Sequence, residues 1–176
     1  MIVTVIGGSA SGKSNIAEDI ICSLSNEERK YYVATMKVGD DEENIERVAK
    51  HREARKEKNF VTIECPSNVE NAVKEMDTKK NVLLECVSNL TANEMFFGNE
   101  ISSAEDTACK VIKGIKILAE EADNLVIVSN NIFESGSEYD ESTRSYLKAL
   151  GDINRELVNI SDEVYEAVVG IKIKVK

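Results

Sequence analysis

The apolar run Ile2-Val3-Thr4-Val5-Ile6 opens directly into Gly7-Gly8-Ser9-Ala10-Ser11-Gly12-Lys13-Ser14, a complete G-x-x-x-x-G-K-S phosphate-binding loop. Helical spacing follows in Asn15-Ile16-Ala17-Glu18-Asp19-Ile20-Ile21, with Ile16, Ile20 and Leu24 expected to face a sheet. A buried strand that ejects a Gly-rich loop into a helix start aims backbone N–H groups and the helix dipole at one point. A phosphate chain fits that point. The alternative, a Gly-rich turn that binds nothing, is disfavoured by the strand before it and the helix after it. Gly7, Gly8 and Gly12 leave the backbone free to curl around phosphates. Lys13 offers a point charge to the β and γ phosphates, and the Ser14 hydroxyl is placed for Mg²⁺. Ser9, Ala10 and Ser11 complete the expected nucleotide-binding loop.

The rest of the chain repeats the alternation of strand and helix. Strands are predicted at 2–6, 30–35, 60–64, 81–86 and 124–129, with a last β region from 163 to 175. Helices are predicted at 13–25, 41–57, 67–77, 102–122 and 140–160. Apolar strands separated by amphipathic helices imply an α/β fold with a mostly parallel sheet covered on both faces. The tail Gly170-Ile171-Lys172-Ile173-Lys174-Val175-Lys176 alternates strictly, with Lys on one face. That pattern predicts an antiparallel edge strand protected by charge.

At 176 residues the chain is long enough for one domain, taken as 1–176, and too short for two ordinary ones. A formal charge of −10 argues against a nucleic-acid partner, which needs a basic face. The exception is local: Arg47, Lys50, His51, Arg52, Arg55, Lys56 and Lys58 cluster within a dozen residues, suiting a small polyanion better than a polymer. No apolar stretch is long enough to cross a bilayer, and no secretory leader is visible. Cys22, Cys65, Cys86 and Cys109 are scattered, as expected of reduced thiols in a cytoplasmic protein.

Ligands of open α/β sheets sit at the carboxyl ends of the strands. Thr35, Lys37, Glu85 and Ser129-Asn130-Asn131 are the polar residues expected there. Glu85, at the end of Leu83-Leu84-Glu85, is the candidate to hold Mg²⁺ opposite Ser14; a carboxylate capping the next helix is the other reading. His51 is the only histidine. On a helix it shares a face with Arg47 and Arg55, four residues to either side. Guanidinium groups there would bind phosphate oxygens and keep the imidazole neutral, as attack on an α-phosphate requires. A salt-bridged, solvated helix explains the same residues through the pairs Glu43–Arg47 and Glu46–Lys50.

The phosphate loop, Tyr32-Val33-Ala34-Thr35, Arg47-Val48-Ala49-Lys50-His51-Arg52 with Arg55, and Phe60-Val61-Thr62-Ile63-Glu64 occur in an order that resembles a known family. Leu83-Leu84-Glu85-Cys86 with Asn93, Gly151 with Asn154, Asp162-Glu163-Val164 and Gly170-Ile171 extend the resemblance over essentially the whole chain. The family is the bifunctional adenosylcobinamide kinase / adenosylcobinamide-phosphate guanylyltransferases of cobalamin biosynthesis. The resemblance implies a RecA-like domain, a homotrimer, and GTP and ATP as substrates alongside adenosylcobinamide. It implies that His51 carries GMP covalently, that Lys13 and Glu85 serve catalysis, and that Thr35, Arg47, Arg52, Arg55 and Glu64 help bind nucleotide. The chain departs from the family pattern at Asn131, where a carboxylate is usual, and at Lys148 and Arg155. An amide cannot act as a base, so the departure bears first on phosphorylation of the acceptor hydroxyl. Two other readings remain open at this point: a small-molecule kinase with an inert His51, and a nucleotide-binding regulatory module without turnover.

Overall fold

The computed structural model describes residues 1–26, 28–37, 58–77, 80–97, 101–132 and 139–176. Within them the chain runs β1 (Ile2–Gly7), α1 (Lys13–Ser25), β2 (Lys30–Ala34), β3 (Phe60–Glu64), a 3₁₀ helix (Val69–Glu75) and β4 (Asn81–Glu85). It continues with α2 (Val87–Met95), α3 (Ala104–Glu121), β5 (Asn124–Asn130), α4 (Glu141–Ile160), β6 (Glu163–Val168) and β7 (Ile171–Lys174). The helix expected at 41–57 lies outside the described residues.

The strands form one sheet in the order β3-β2-β4-β5-β1-β6-β7. Every pairing is parallel except the last, β6 with β7. The expected mostly parallel sheet with an antiparallel carboxyl-terminal edge is therefore present. Successive strand residues point to opposite faces, and both faces are covered, which explains why the central strands are mostly apolar. Val3, Val5, Leu83, Val126 and Val128 pack toward α1 with Ile16, Ala17 and Ile21. Leu84, Leu125 and Ile127 pack on the other face, under Leu90, Ile115, Leu118, Leu150 and Ile153 from α2, α3 and α4. Full burial of each such aliphatic side chain contributes about 1.5–3 kcal/mol.

Three sequence expectations are corrected. The apolar face of α1 is rotated: Ile16 is buried, but Ile20 and Leu24 are only partly so, and Ile21 takes the central position. The segment expected as helix 67–77 is a tighter turn of 3₁₀ helix, with Asn71 N donating to Asn68 O at 2.9 Å. It lies close to α3 at Gly114, where a Cβ would stand 2.9 Å from Val69 Cγ1. A helix at Val87–Met95 was not anticipated. Its buried stripe includes Ser88, Thr91 and Glu94, so a hydrophobic period is hard to see there. Glu94 is held in place by two partners: its Oε1 accepts from Asn68 N at 2.6 Å and its Oε2 pairs with Lys110 at 2.6 Å.

Strand β7 places Lys172 and Lys174 on one side, as the alternation implies. Lys174 pairs with Glu163 at 2.7 Å, and the Lys172 ammonium sits 4.9 Å from the centre of the Tyr165 ring. Ile171 and Ile173, on the other side, are exposed.

Candidate active site at the phosphate loop

Strand β1 lies inside the sheet, between β5 and β6, and delivers residues 8–12 at its carboxyl end. Gly7 stands opposite Asn130 on one side and Ala167 on the other. A Cβ at Gly7 would meet Ser11 Oγ at 2.4 Å and Ala167 O at 2.8 Å, so only glycine fits. Gly12, at φ 87°, takes the left-handed conformation that starts α1. Among the described residues nothing lies within 4 Å of where a Cβ would stand on Gly8. Lys13 curls back, its ammonium donating to Gly8 O at 2.9 Å. The first turn of α1 carries no acidic side chain that would compete with an anion.

Glu85 ends β4, two strands from β1. Even so, the Ser14 hydroxyl donates to Glu85 Oε1, which brings together the two residues proposed for the metal. The other carboxylate oxygen, Glu85 Oε2, is buried with no hydrogen-bond partner. Among the described residues only three more buried side-chain oxygens lack one: Ser11 Oγ, Asn130 Oδ1 and Thr107 Oγ1. Ser11 and Asn130 belong to the phosphate loop and the adjoining end of β5, so three of the four orphans gather at one end of the sheet. Leaving a buried polar group unpaired costs about 1–3 kcal/mol, which a ligand or ion would recover. A hydroxyl and a carboxylate fit Mg²⁺, a hard cation that keeps several waters and completes its shell with phosphate oxygens. No cluster of three or more His, Cys, Asp or Glu capable of holding a metal occurs among the described residues.

Behind this pair the polar groups are engaged. The Thr35 hydroxyl accepts from Cys86 N and donates to Cys86 O, each at 2.7 Å, while Asn93 Nδ2 donates to Thr35 O at 2.7 Å. Thr35 is thus buried and braces the start of α2. Asn130 Nδ2 donates to Ser88 Oγ at 2.7 Å, and Ser129 Oγ donates to Asn154 Oδ1 at 2.5 Å. Burial pushes the Tyr146 hydroxyl up to about 12, so it stays a neutral donor to Ser88 O. Ser88 and Tyr146 were not singled out from sequence; isolated hydroxyls carry no spacing signal. Asn131 follows β5, its N–H donating to Gly7 O at 3.0 Å.

Not all sequence candidates converge here. Glu64 ends β3, the far edge of the sheet, with β2, β4 and β5 between it and β1. His51, Arg47, Arg52 and Arg55 lie outside the described residues. Among the aromatic side chains, Tyr31 and Phe60 are core, whereas Phe96 and Phe97 are exposed, Phe97 with the Lys37 ammonium 5.8 Å from its centre.

Solved structures share this architecture at low identity. An ATPase domain matches with a TM-score of 0.57 at 14% identity, covering 94% of this chain and 68% of that one. A KaiC-like protein from Pyrococcus horikoshii matches with a TM-score of 0.54 at 16% identity, covering 94% and 71%. These likenesses show the fold, a RecA-like α/β sheet built around a phosphate loop. Two curated relatives, each named bifunctional adenosylcobalamin biosynthesis protein CobU, come from Escherichia coli and Salmonella typhimurium. Each is 27% identical over 186 residues, covering all of this chain and all of the relative. The family model for cobinamide kinase / cobinamide phosphate guanyltransferase matches residues 3–175. The chain belongs to that family.

Proposed function

We propose that this protein is a nucleotide-dependent transferase of cobalamin biosynthesis that performs two reactions with one nucleotide-binding domain, residues 1–176. In the first, the aminopropanol hydroxyl of adenosylcobinamide takes the γ-phosphoryl group of ATP or GTP, releasing the nucleoside diphosphate. In the second, His51 attacks the α-phosphorus of GTP, forming a P–N bond and releasing pyrophosphate. An oxygen of adenosylcobinamide phosphate then attacks the same phosphorus, breaking the P–N bond. The products are adenosylcobinamide-GDP and free His51.

One observation supports this reading most: the Ser14–Glu85 pair and the phosphate loop meet at the sheet end where buried oxygens lack partners. Backbone N–H groups of residues 8–14 and the Lys13 ammonium would hold the phosphate chain. Lys13 already donates to Gly8 O, so it needs only to exchange a carbonyl for a phosphate oxygen. Ser14 and Glu85 would hold Mg²⁺, which when bound neutralises charge building on the transferred phosphoryl group. Arg47, Arg52 and Arg55, close to His51 in sequence, would neutralise the triphosphate and keep the imidazole unprotonated until attack. Assembly as a cytoplasmic homotrimer belongs to the same reading.

Incubation with α-labelled GTP tests the covalent step. Acid-labile, hydroxylamine-sensitive label should appear on the wild type, vanish in His51→Asn, and discharge to product on addition of adenosylcobinamide phosphate. Absence of label, with phosphorylation of adenosylcobinamide intact, would leave a kinase alone.

A further inference from the structure

The phosphate loop is flanked on its other side by the turn that joins β6 to β7. Gly170 N donates to Ser11 O at 2.8 Å, and a Cβ on Gly12 would lie 3.1 Å from Gly170 Cα. The turn is therefore seated on the loop backbone. Its two central residues, Val169 at φ 49° and Gly170 at φ 81°, both have positive φ, as a two-residue hairpin turn of type I′ demands. Asn-Gly is the pair that such a turn favours. A β-branched residue in the left-handed region is a real outlier, held at a cost of about 1–3 kcal/mol. Val169 is also 88% exposed, so core packing does not account for it either. Neither turn chemistry nor burial explains a valine at this point.

The order of the strands says which part of a ligand reaches it. Ser14 bonds Glu85 at the end of β4, so a metal on that pair, and the terminal phosphates with it, would lie on the β5–β4 side of β1. A triphosphate held end-on by that group must direct its nucleoside away from it, toward β6 and β7. We infer that the Val169–Gly170 turn is the apolar wall of the nucleoside subsite, with the Val169 side chain lying against the base or ribose. This rests on the nucleotide-binding reading above and adds to it the surface that meets the nucleoside.

The test compares a nucleoside triphosphate with a bare phosphate chain. Mg·GTP, Mg·ATP and inorganic tripolyphosphate are titrated calorimetrically into wild type, Val169→Asn and Val169→Leu, with particle mass followed by light scattering. Asn suits the turn, so Val169→Asn should melt no lower than the wild type. It should bind at least one of the two nucleotides about tenfold more weakly and tripolyphosphate unchanged. Val169→Leu, which keeps an apolar surface, should stay within about twofold of the wild type. Equal weakening for nucleotide and tripolyphosphate, or no weakening at all, would overturn the inference. So would a change in particle mass with nucleotide affinity intact, which would mark Val169 as a contact between copies. Failure of the wild type to bind either nucleotide or tripolyphosphate would bring down the cradle reading itself.

Discussion

The two ends of the sheet are built from the same strands and treat their polar groups in opposite ways. At the amino end the hydrogen bonds close on one another. The Met1 ammonium donates to Asp123 O at 2.8 Å, and Asp123 Oδ2 accepts from Lys80 N at 2.7 Å. Asp162 Oδ2 accepts from Ile2 N at 2.7 Å while Asp162 N returns a bond to Ile2 O at 2.8 Å. Asn81, almost fully buried, accepts from Asn124 Nδ2 at 2.8 Å and donates to Arg29 O at 3.4 Å. At the carboxyl end Ser11, Glu85 and Asn130 each keep a buried oxygen without a partner, and among the described residues nothing stands over Gly8. One end is spent on stability. The other leaves buried acceptors unpaired.

That contrast can be broken from either side. The largest expected effect is at the loop: Lys13→Ala should lower nucleotide turnover about a hundredfold or more, since removing one preorganised group that stabilises developing charge costs about that much. Its melting temperature should stay near that of the wild type, because among the described residues the Lys13 ammonium bonds only to Gly8 O. Next, Glu85→Gln should raise the magnesium concentration needed for half-maximal rate about tenfold, the scale seen when a ligand's support is lost. Nucleotide affinity measured without magnesium should not move. A Glu85→Gln enzyme with unaltered magnesium dependence would remove Glu85 from the metal site. At the amino end, Asn81→Ala should cost about 2 kcal/mol of unfolding free energy by leaving Asn124 and the Arg29 carbonyl unpaired. The dissociation constant for Mg·GTP should be unchanged. A loss of affinity there comparable with the loss of stability would show the two ends to be coupled.

Much of the carboxyl end was legible because its chemistry is local in sequence. The phosphate loop is eight consecutive residues, and Glu85 follows an apolar strand, so both could be placed at strand ends before any coordinates. The strict alternation from Ile171 to Lys174 likewise announced an antiparallel edge. What was not legible depends on contacts distant in sequence. The helix Val87–Met95 hides its period because Ser88, Thr91 and Glu94 are buried for their hydrogen bonds rather than their apolar surface. The seating of the β6–β7 turn on Ser11 joins residues 159 apart, through a backbone amide that no side-chain pattern reports. Thr35 was expected among the nucleotide-binding residues; it follows β2, but its hydroxyl is committed to Cys86.

Hydrogen–deuterium exchange with and without Mg·GTP tests most directly the claim that the carboxyl end of the sheet is where nucleotide binds. The account predicts slowed exchange in residues 8–17 and 85–88, and at the turn 168–171. Residues 80–82 and 122–125 at the amino end should exchange at the same rate with or without nucleotide. Protection confined to the amino end, or none at 8–17 under saturating nucleotide, would contradict it.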